Sequence, residues 1–351
     1  MKKDALLVYP YTVDKAQLRK VKRGIQIALI LFGLIAIVVL YFTVDPKLTW
    51  EALQKSRPIG LLAAGGLWTA WFLTDGLRTR LLAKTLGQNL PYSTALDMIA
   101  AGMFLAVVTP FQVSGLPYQL WIFKEDGKID PGPGTALIVL RGLLIYLFVF
   151  GSAPFALWVF GIKEQSGFFK AVLIYFLVIA SVFFLVFLLS IINPEAITKA
   201  IRWKKAQKFL AGFVGQMREM RKALGMFFRA KKPAALVATV ALSVLCLVFY
   251  WSTVPAVLWA LGLSFDPLKA FLLQALLQGA LLYSPTPGAA GIAEGAGAAV
   301  FSSLCPKHLL GVFIVLWRFF TVYMTAIVGG FFFFRRAGRM GRTEKGKSQE
   351  Q

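Results

Sequence analysis

Residues Gly24–Val44 form a run of 21 without a charged side chain, and Ala171–Ile192 forms another of 22. At about 1.5 Å of rise per residue, either run as a helix covers the roughly 30 Å hydrocarbon core of a bilayer. Lipid cannot satisfy backbone N–H and C=O groups, so a chain with such runs folds as membrane-spanning helices. The apolar residues come in long blocks rather than at amphipathic spacing, the stronger sign of membrane insertion. Only 15% of residues are charged, against about a quarter in soluble domains, and the mean hydropathy is +0.69. The first run is longer than the roughly 7–15 residues of a secretory signal core. Tyr41-Phe42-Thr43-Val44 after it offers no small-residue cleavage site, so the run reads as a signal anchor.

Six stretches read as complete spans: 24–44, 59–82, 134–160, 168–192, 234–262 and 309–334. Two more, 92–123 and 267–304, are broken near their middles by Thr109-Pro110-Phe111-Gln112-Val113-Ser114-Gly115-Leu116-Pro117 and by Ser284-Pro285-Thr286-Pro287-Gly288. Such breaks expose backbone polar groups and must be packed in protein or line a wet cavity.

Basic residues decide whether these two stretches cross. If both dip in and return, with the N-terminus inside, the cytoplasmic side carries 29 Lys and Arg and the outer side 7. If both cross, the division becomes 19 to 17, because the cluster of 11 in 195–232 moves outside. The positive-inside rule favours return. The expected fold is therefore an all-α polytopic membrane protein with six transmembrane helices and two re-entrant broken hairpins in an inverted repeat.

Spacing supports the repeat. Pro110 precedes Arg141 by 31 residues, Pro287 precedes Arg318 by 31, and Tyr146 and Tyr323 each follow their arginine by five. The expected organisation is a basic cytoplasmic N-terminus (1–23), one membrane domain (24–335) with halves at about 24–160 and 168–335, and a basic cytoplasmic tail (336–351). Residues 194–232 connect the halves. Leu210, Phe213, Val214, Met217, Met220, Leu224, Phe227 and Phe228 recur there at helical spacing among Lys and Arg. The segment reads either as an amphipathic helix on anionic inner-leaflet headgroups or as a solvated connector folded against the bundle.

Net charge is +22, but it lies in blocks between apolar segments, where membrane topology explains it; nucleic-acid binding is not expected. Cys246 and Cys305 are too few for a disulfide framework or thiolate metal site, and the sole histidine, His308, sits in a polar break beside Pro306 and Lys307. No phosphate-loop or metalloprotease motif occurs, and no cofactor or metal is expected.

The candidate site is built from polar groups at depth. Arg141 and Arg318 are the Lys/Arg residues that this topology leaves well inside spans; Asp75, Arg78 and Arg80 read as an anchor near an inner helix end. A guanidinium at mid-membrane faces a partner or a wet cavity. The pair therefore reads as two contacts to a lipid phosphate from opposite halves, or equally as structural partners of carboxylates such as Glu294 or Asp97. In Gly288–Ala299 ten of twelve residues are Gly or Ala, and Glu294 is the one charge. A half-helix starting after Pro287 would aim N–H groups at an anion in the break. The candidate lipid-phosphate site is Arg141, Arg318, Glu294, Thr286, Pro287, Gly288, Gly291, Thr109, Pro110, Gln112 and Ser114. Gln119, Gln274 and Gln278 fit interhelical hydrogen bonds or a hydrated path.

The run Pro285-Thr286-Pro287-Gly288-Ala289-Ala290-Gly291-Ile292-Ala293-Glu294 resembles the PTPGGLGxxE segment of the lysylphosphatidylglycerol synthase membrane region, the flippase-like domain family, and Arg318 resembles that family's late arginine. The resemblance covers about residues 20–335. The chain departs from the pattern at Ala289-Ala290, and in the first hairpin, where the usual acidic residue is missing. The resemblance implies movement of an anionic phospholipid or lipid-linked molecule between leaflets of a plasma membrane. It does not imply aminoacyl transfer, because the soluble synthase domain has no counterpart in the 17 residues after Phe334. A lipid-headgroup-modifying enzyme and a non-transporting membrane scaffold are the alternatives.

Overall fold

The computed structural model describes residues 46–109, 115–152, 155, 158–159, 167–192, 215, 218, 221–229, 232–282 and 284–347. The expected first span, the N-terminal segment 1–23, most of 194–220, and Pro110, Gln112 and Ser114 lie outside the described residues. In chain order the helices are α1 (Pro46–Lys55), α2 (Pro58–Thr85), α3 (Tyr92–Val108), α4 (Gly115–Glu125), α5 (Pro131–Gly151) and α6 (Gly167–Ile192). A helical run over 221–229 follows. The second part holds α7 (Pro233–Trp251), α8 (Thr253–Ala260), α9 (Pro267–Leu281), α10 (Ile292–Phe301), α11 (Lys307–Arg318) and α12 (Met324–Lys347). A 3-10 turn at Pro287–Ala289 precedes α10, and a π-helical turn at Phe319–Tyr323 joins α11 to α12. The described residues contain no strand.

Local chemistry sets these boundaries. Pro58, Pro131, Pro233 and Pro267 open α2, α5, α7 and α9, where a missing N–H removes no intrahelical bond. Asp266 caps α9, its Oδ1 accepting from the N–H groups of Leu268 (2.9 Å) and Lys269 (3.1 Å). Thr109 ends α3, and its hydroxyl donates back to the Leu105 carbonyl at 2.7 Å.

Among the described residues, three stretches are long and apolar enough to cross a membrane: Gly132–Gly151, Pro233–Ala260 and Lys307–Arg336. Within the third expected span α5 ends at Gly151, and residues 155 and 158–159 beyond it are helical. On α6, Ile174, Val178, Val182 and Leu185 are exposed along one helical face. A stripe of bare branched aliphatic side chains is costly in water and suited to lipid.

The helices pack closely where small residues meet. A Cβ on Gly60 would lie 2.6 Å from the Ala260 Cα, and the Arg57 N–H donates to the Ala260 carbonyl at 2.7 Å, which seats the start of α2 on the end of α8. A Cβ on Gly329 would collide with the Ala100 carbonyl, so α12 lies directly on α3.

Each broken stretch is a pair of helices packed on one another, α3 with α4 and α9 with α10. The ends of the first pair meet: Leu90, just before α3, lies against Gly127, just after α4. Leu90, Ile122, Phe123 and Ile129 share one buried core with Phe72 and Leu137. The second pair sits in another core, with Phe176, Leu273, Leu277, Phe301 and Trp317. The two broken regions touch where the Pro287–Ala289 turn packs on α3.

Candidate functional site

The second break is held by one arginine and one carboxylate. Gly288 has φ +57° and Gly291 φ +81°, left-handed backbone that glycine adopts without strain. Together they turn the chain out of α9 and into α10. The Glu294 carboxylate reaches back to accept the Gly291 N–H through Oε2 at 2.6 Å, a capping arrangement for the first turn of α10. Its other oxygen, Oε1, lies 2.8 Å from Arg318 Nε as an ion pair, although the Nε–H is not aimed at an acceptor. Arg318 Nη2 donates to the Gly288 carbonyl at 2.6 Å. Arg318 also hydrogen-bonds the Tyr323 side chain, which the π-helical turn carries. Glu294 and Arg318 are both buried.

This arrangement differs from the expected half-helix. The helix starts at Ile292 rather than directly after Pro287, and Glu294 itself takes an N–H expected to face a ligand. Thr286 and Pro287 form the turn: the Thr286 carbonyl accepts from the Ala289 N–H at 2.9 Å, and its hydroxyl lies 3.2 Å from that of Ser284. Pro285, Gly291 and Ile292 on the outer side of the turn are exposed.

A second charge cluster forms where α2, α5 and α7 converge. Asp75 accepts from both Arg78 and Arg141. Arg78 bonds its Oδ1 through Nε (3.0 Å) and Nη2 (2.5 Å), and Arg141 bonds Oδ1 through Nε (3.3 Å) and Oδ2 through Nη2. Arg78 Nη1 donates to the Arg141 carbonyl and to the Ser243 hydroxyl, both at 3.3 Å. Asp75 and Arg78 are each 2% exposed, and the Arg141 side chain 13%. The interface-anchor reading of Asp75 and Arg78 is therefore corrected: α2 continues to Thr85, so both residues lie inside the helix and face its neighbours. Asp75 preceding Arg78 by three residues in an apolar stretch was the available signal, since that spacing puts both on one face.

The two arginines do not meet. Ser243 and Cys246 on α7 stand beside the Arg141 cluster, and Tyr250 stands beside Arg318. Seven residues of helix separate Ser243 from Tyr250, about 10 Å. Asp97 is not the partner of either arginine. It faces Arg336 at 3.8 Å, and Arg336 also pairs with Asp126 and lies over the Trp121 ring. Gln274 and Gln278 accept from the indoles of Trp317 (2.8 Å) and Trp251 (2.5 Å). Gln119 fills the space that Gly102 leaves, and its buried Oε1 has no partner. Of the sequence-predicted residues, Arg318, Glu294, Gly288 and Gly291 form one constellation, with Thr286 and Pro287 in the adjoining turn. Arg141 belongs to the other cluster, and Thr109 closes α3.

The profile of the family described as Lysylphosphatidylglycerol synthase TM region matches residues 25–329. A UPF0104 membrane protein of Archaeoglobus fulgidus is 26% identical over 315 residues, covering 86% of this chain and 93% of the relative.

Proposed function

The chain belongs to the lysylphosphatidylglycerol synthase TM-region family, and from that premise we propose that it is a flippase-like transporter. Its cargo on this reading is an anionic phospholipid or lipid-linked molecule, carried between the leaflets of a plasma membrane. The observation that carries the reading is the cluster on Asp75. Two buried guanidiniums share a single carboxylate, which leaves one positive charge in excess among the described residues at a site enclosed by apolar helices. Buried charge without a counter-charge is costly, and Arg141 keeps an exposed edge. A lipid phosphate supplies the missing charge, and a guanidinium matches its oxygens.

The membrane layout proposed with it is six spans and two re-entrant hairpins, with both termini cytoplasmic. The meeting of Leu90 with Gly127 supports return of the first hairpin to its own side. Contact between the Pro287–Ala289 turn and α3 supports a meeting of the hairpins within the bundle. The Glu294–Arg318 pair, about 10 Å away along α7, is the second station, where the phosphate displaces the carboxylate on Arg318 as the break rearranges.

Purified protein in liposomes tests this. Transbilayer movement of a fluorescent anionic phospholipid should be accelerated at least tenfold over protein-free vesicles and lost in Arg141→Gln. No acceleration across a panel of phosphorylated lipids would sink the proposal.

A further inference from the structure

A cavity of about 1120 Å³, lined by none of the residues of the two charge clusters, lies between α5, α6 and the helical run over 221–229. Its two sides differ in chemistry. Leu144, Leu147 and Phe187 form an apolar wall on α5 and α6, while the connector brings the cations Arg218, Arg221, Lys222 and Arg229 together with apolar Leu224, Met226, Phe227 and Phe228. No carboxylate is among the described lining residues. Residues 215–232 carry six Lys and Arg against the single acid Glu219.

Among the described residues, one face of the helical run is buried against the bundle. Ala223 and Phe227 are buried in the core that holds Leu82, Phe123 and Leu140. Phe228 next door is 71% exposed and Met226 40% exposed, between exposed Arg221 and Arg229. Bare aromatic and thioether groups beside cations are costly in water and favourable at the headgroup boundary of an anionic leaflet. Of the connector, the described run 221–229 packs on the bundle through Ala223 and Phe227 and leaves Met226 and Phe228 exposed.

We propose that this cavity binds one anionic phospholipid of the inner leaflet. Its phosphate sits on Arg221 and Arg229, with Arg218 and Lys222 adding to the positive field. Its acyl chains run along Leu144, Leu147 and Phe187 toward the bilayer centre. Charge complementarity selects this occupant, and the apolar wall requires a molecule with a hydrocarbon part. Leu140 and Leu144 flank Arg141 on α5, so a lipid held here stands next to the Asp75 cluster while touching other residues. The site rests on the cytoplasmic placement of the connector proposed above and not on transport.

Full-length protein exchanged into nanodiscs of equal phosphatidylglycerol, phosphatidylserine and phosphatidylcholine, then released for native mass spectrometry, tests it. The unaltered chain should keep one anionic lipid at least tenfold over phosphatidylcholine, with retention falling as salt rises. Arg221→Ala/Arg229→Ala should lose that preference, Arg221→Lys/Arg229→Lys should keep most of it, and Leu147→Trp should reduce retention of all three lipids. Size-exclusion and thermal profiles of the variants report folding. Equal retention of the three lipids by the unaltered chain, full anionic retention in the double alanine variant, or displacement by soluble glycerol 3-phosphate would overturn the site. Transbilayer movement in liposomes is read separately: retention without movement sinks the transport proposal alone, and movement without retention sinks this site alone.

Discussion

Arg318 ties the second chain break to the helix that follows it, pairing with Glu294 on that helix at 2.8 Å and donating to the Gly288 carbonyl within the break at 2.6 Å. A charge, a helix cap and a left-handed turn thus depend on one guanidinium. Substituting either partner leaves a buried group with nothing opposite. Glu294→Gln keeps the shape and removes the charge, so it is expected to lower stability by about 3–5 kcal/mol, the usual cost of breaking a buried pair. Replacing both residues by apolar ones of similar size should recover much of that loss. Thermal unfolding in detergent measures both, and the double variant should be stable but inactive in lipid movement.

The Asp75 cluster predicts an order of severity. Asp75→Asn strands two guanidiniums at once, so its loss of stability should reach or exceed that of Glu294→Gln, about 3–5 kcal/mol. Arg141→Gln should cost less, because Arg78 still satisfies Asp75 and the Arg141 side chain is partly exposed. A near-native unfolding temperature with lost lipid movement in Arg141→Gln is the signature of a ligand contact. Equal destabilisation of both variants would mark Arg141 as structural.

The fold was legible where apolar runs are long and unbroken, as in 168–192, since length and charge alone define such a helix. The second break was legible from its prolines and glycines. What escaped was the depth of Asp75 and Arg78. Drawing the span as 59–82 put them near a helix end, but α2 runs on to Thr85 and packs on α7, which buries them. Partner identity was legible for one arginine: Glu294 stood among the candidate carboxylates and pairs with Arg318, whereas Asp75 did not and pairs with Arg141. Arg318 and Glu294 are 24 residues apart across a turn, and Arg141 and Asp75 are 66 apart on different helices. Only packing brings them together, and spacing in one sequence carries no record of it.

Ala289 has φ +57°, a conformation that disfavours an L side chain, in the turn where the resembling motif has a glycine. Left-handed backbone costs a residue with a Cβ about 1–2 kcal/mol. Ala289→Gly should therefore raise stability by about 1 kcal/mol, offset in part by the greater freedom of glycine in the unfolded chain. Gly291→Ala, at φ +81°, should lower it by a similar or larger amount. Paired unfolding curves of the two variants check the opposite signs.

The hairpin layout itself makes the most discriminating prediction. Glu125, the last residue of α4 in approach to the Leu90–Gly127 contact, and Ser302, just past α10, are both exposed. If both hairpins return to their own sides, the two positions lie on opposite faces of the membrane. The native cysteines make a quiet background: both are buried, and burial pushes the Cys305 thiol up to about 12, so the reactive thiolate is scarce at neutral pH. Glu125→Cys and Ser302→Cys, made singly, should then be the groups that a membrane-impermeant maleimide modifies. In intact cells Ser302→Cys should react from outside and Glu125→Cys only after the membrane is opened. Crossing hairpins would move Glu125 to the outer face while leaving Ser302 there, so both would react in intact cells. Labelling of both positions without permeabilisation therefore removes the re-entrant layout, and with it the placement of the 195–232 cluster on the inner leaflet.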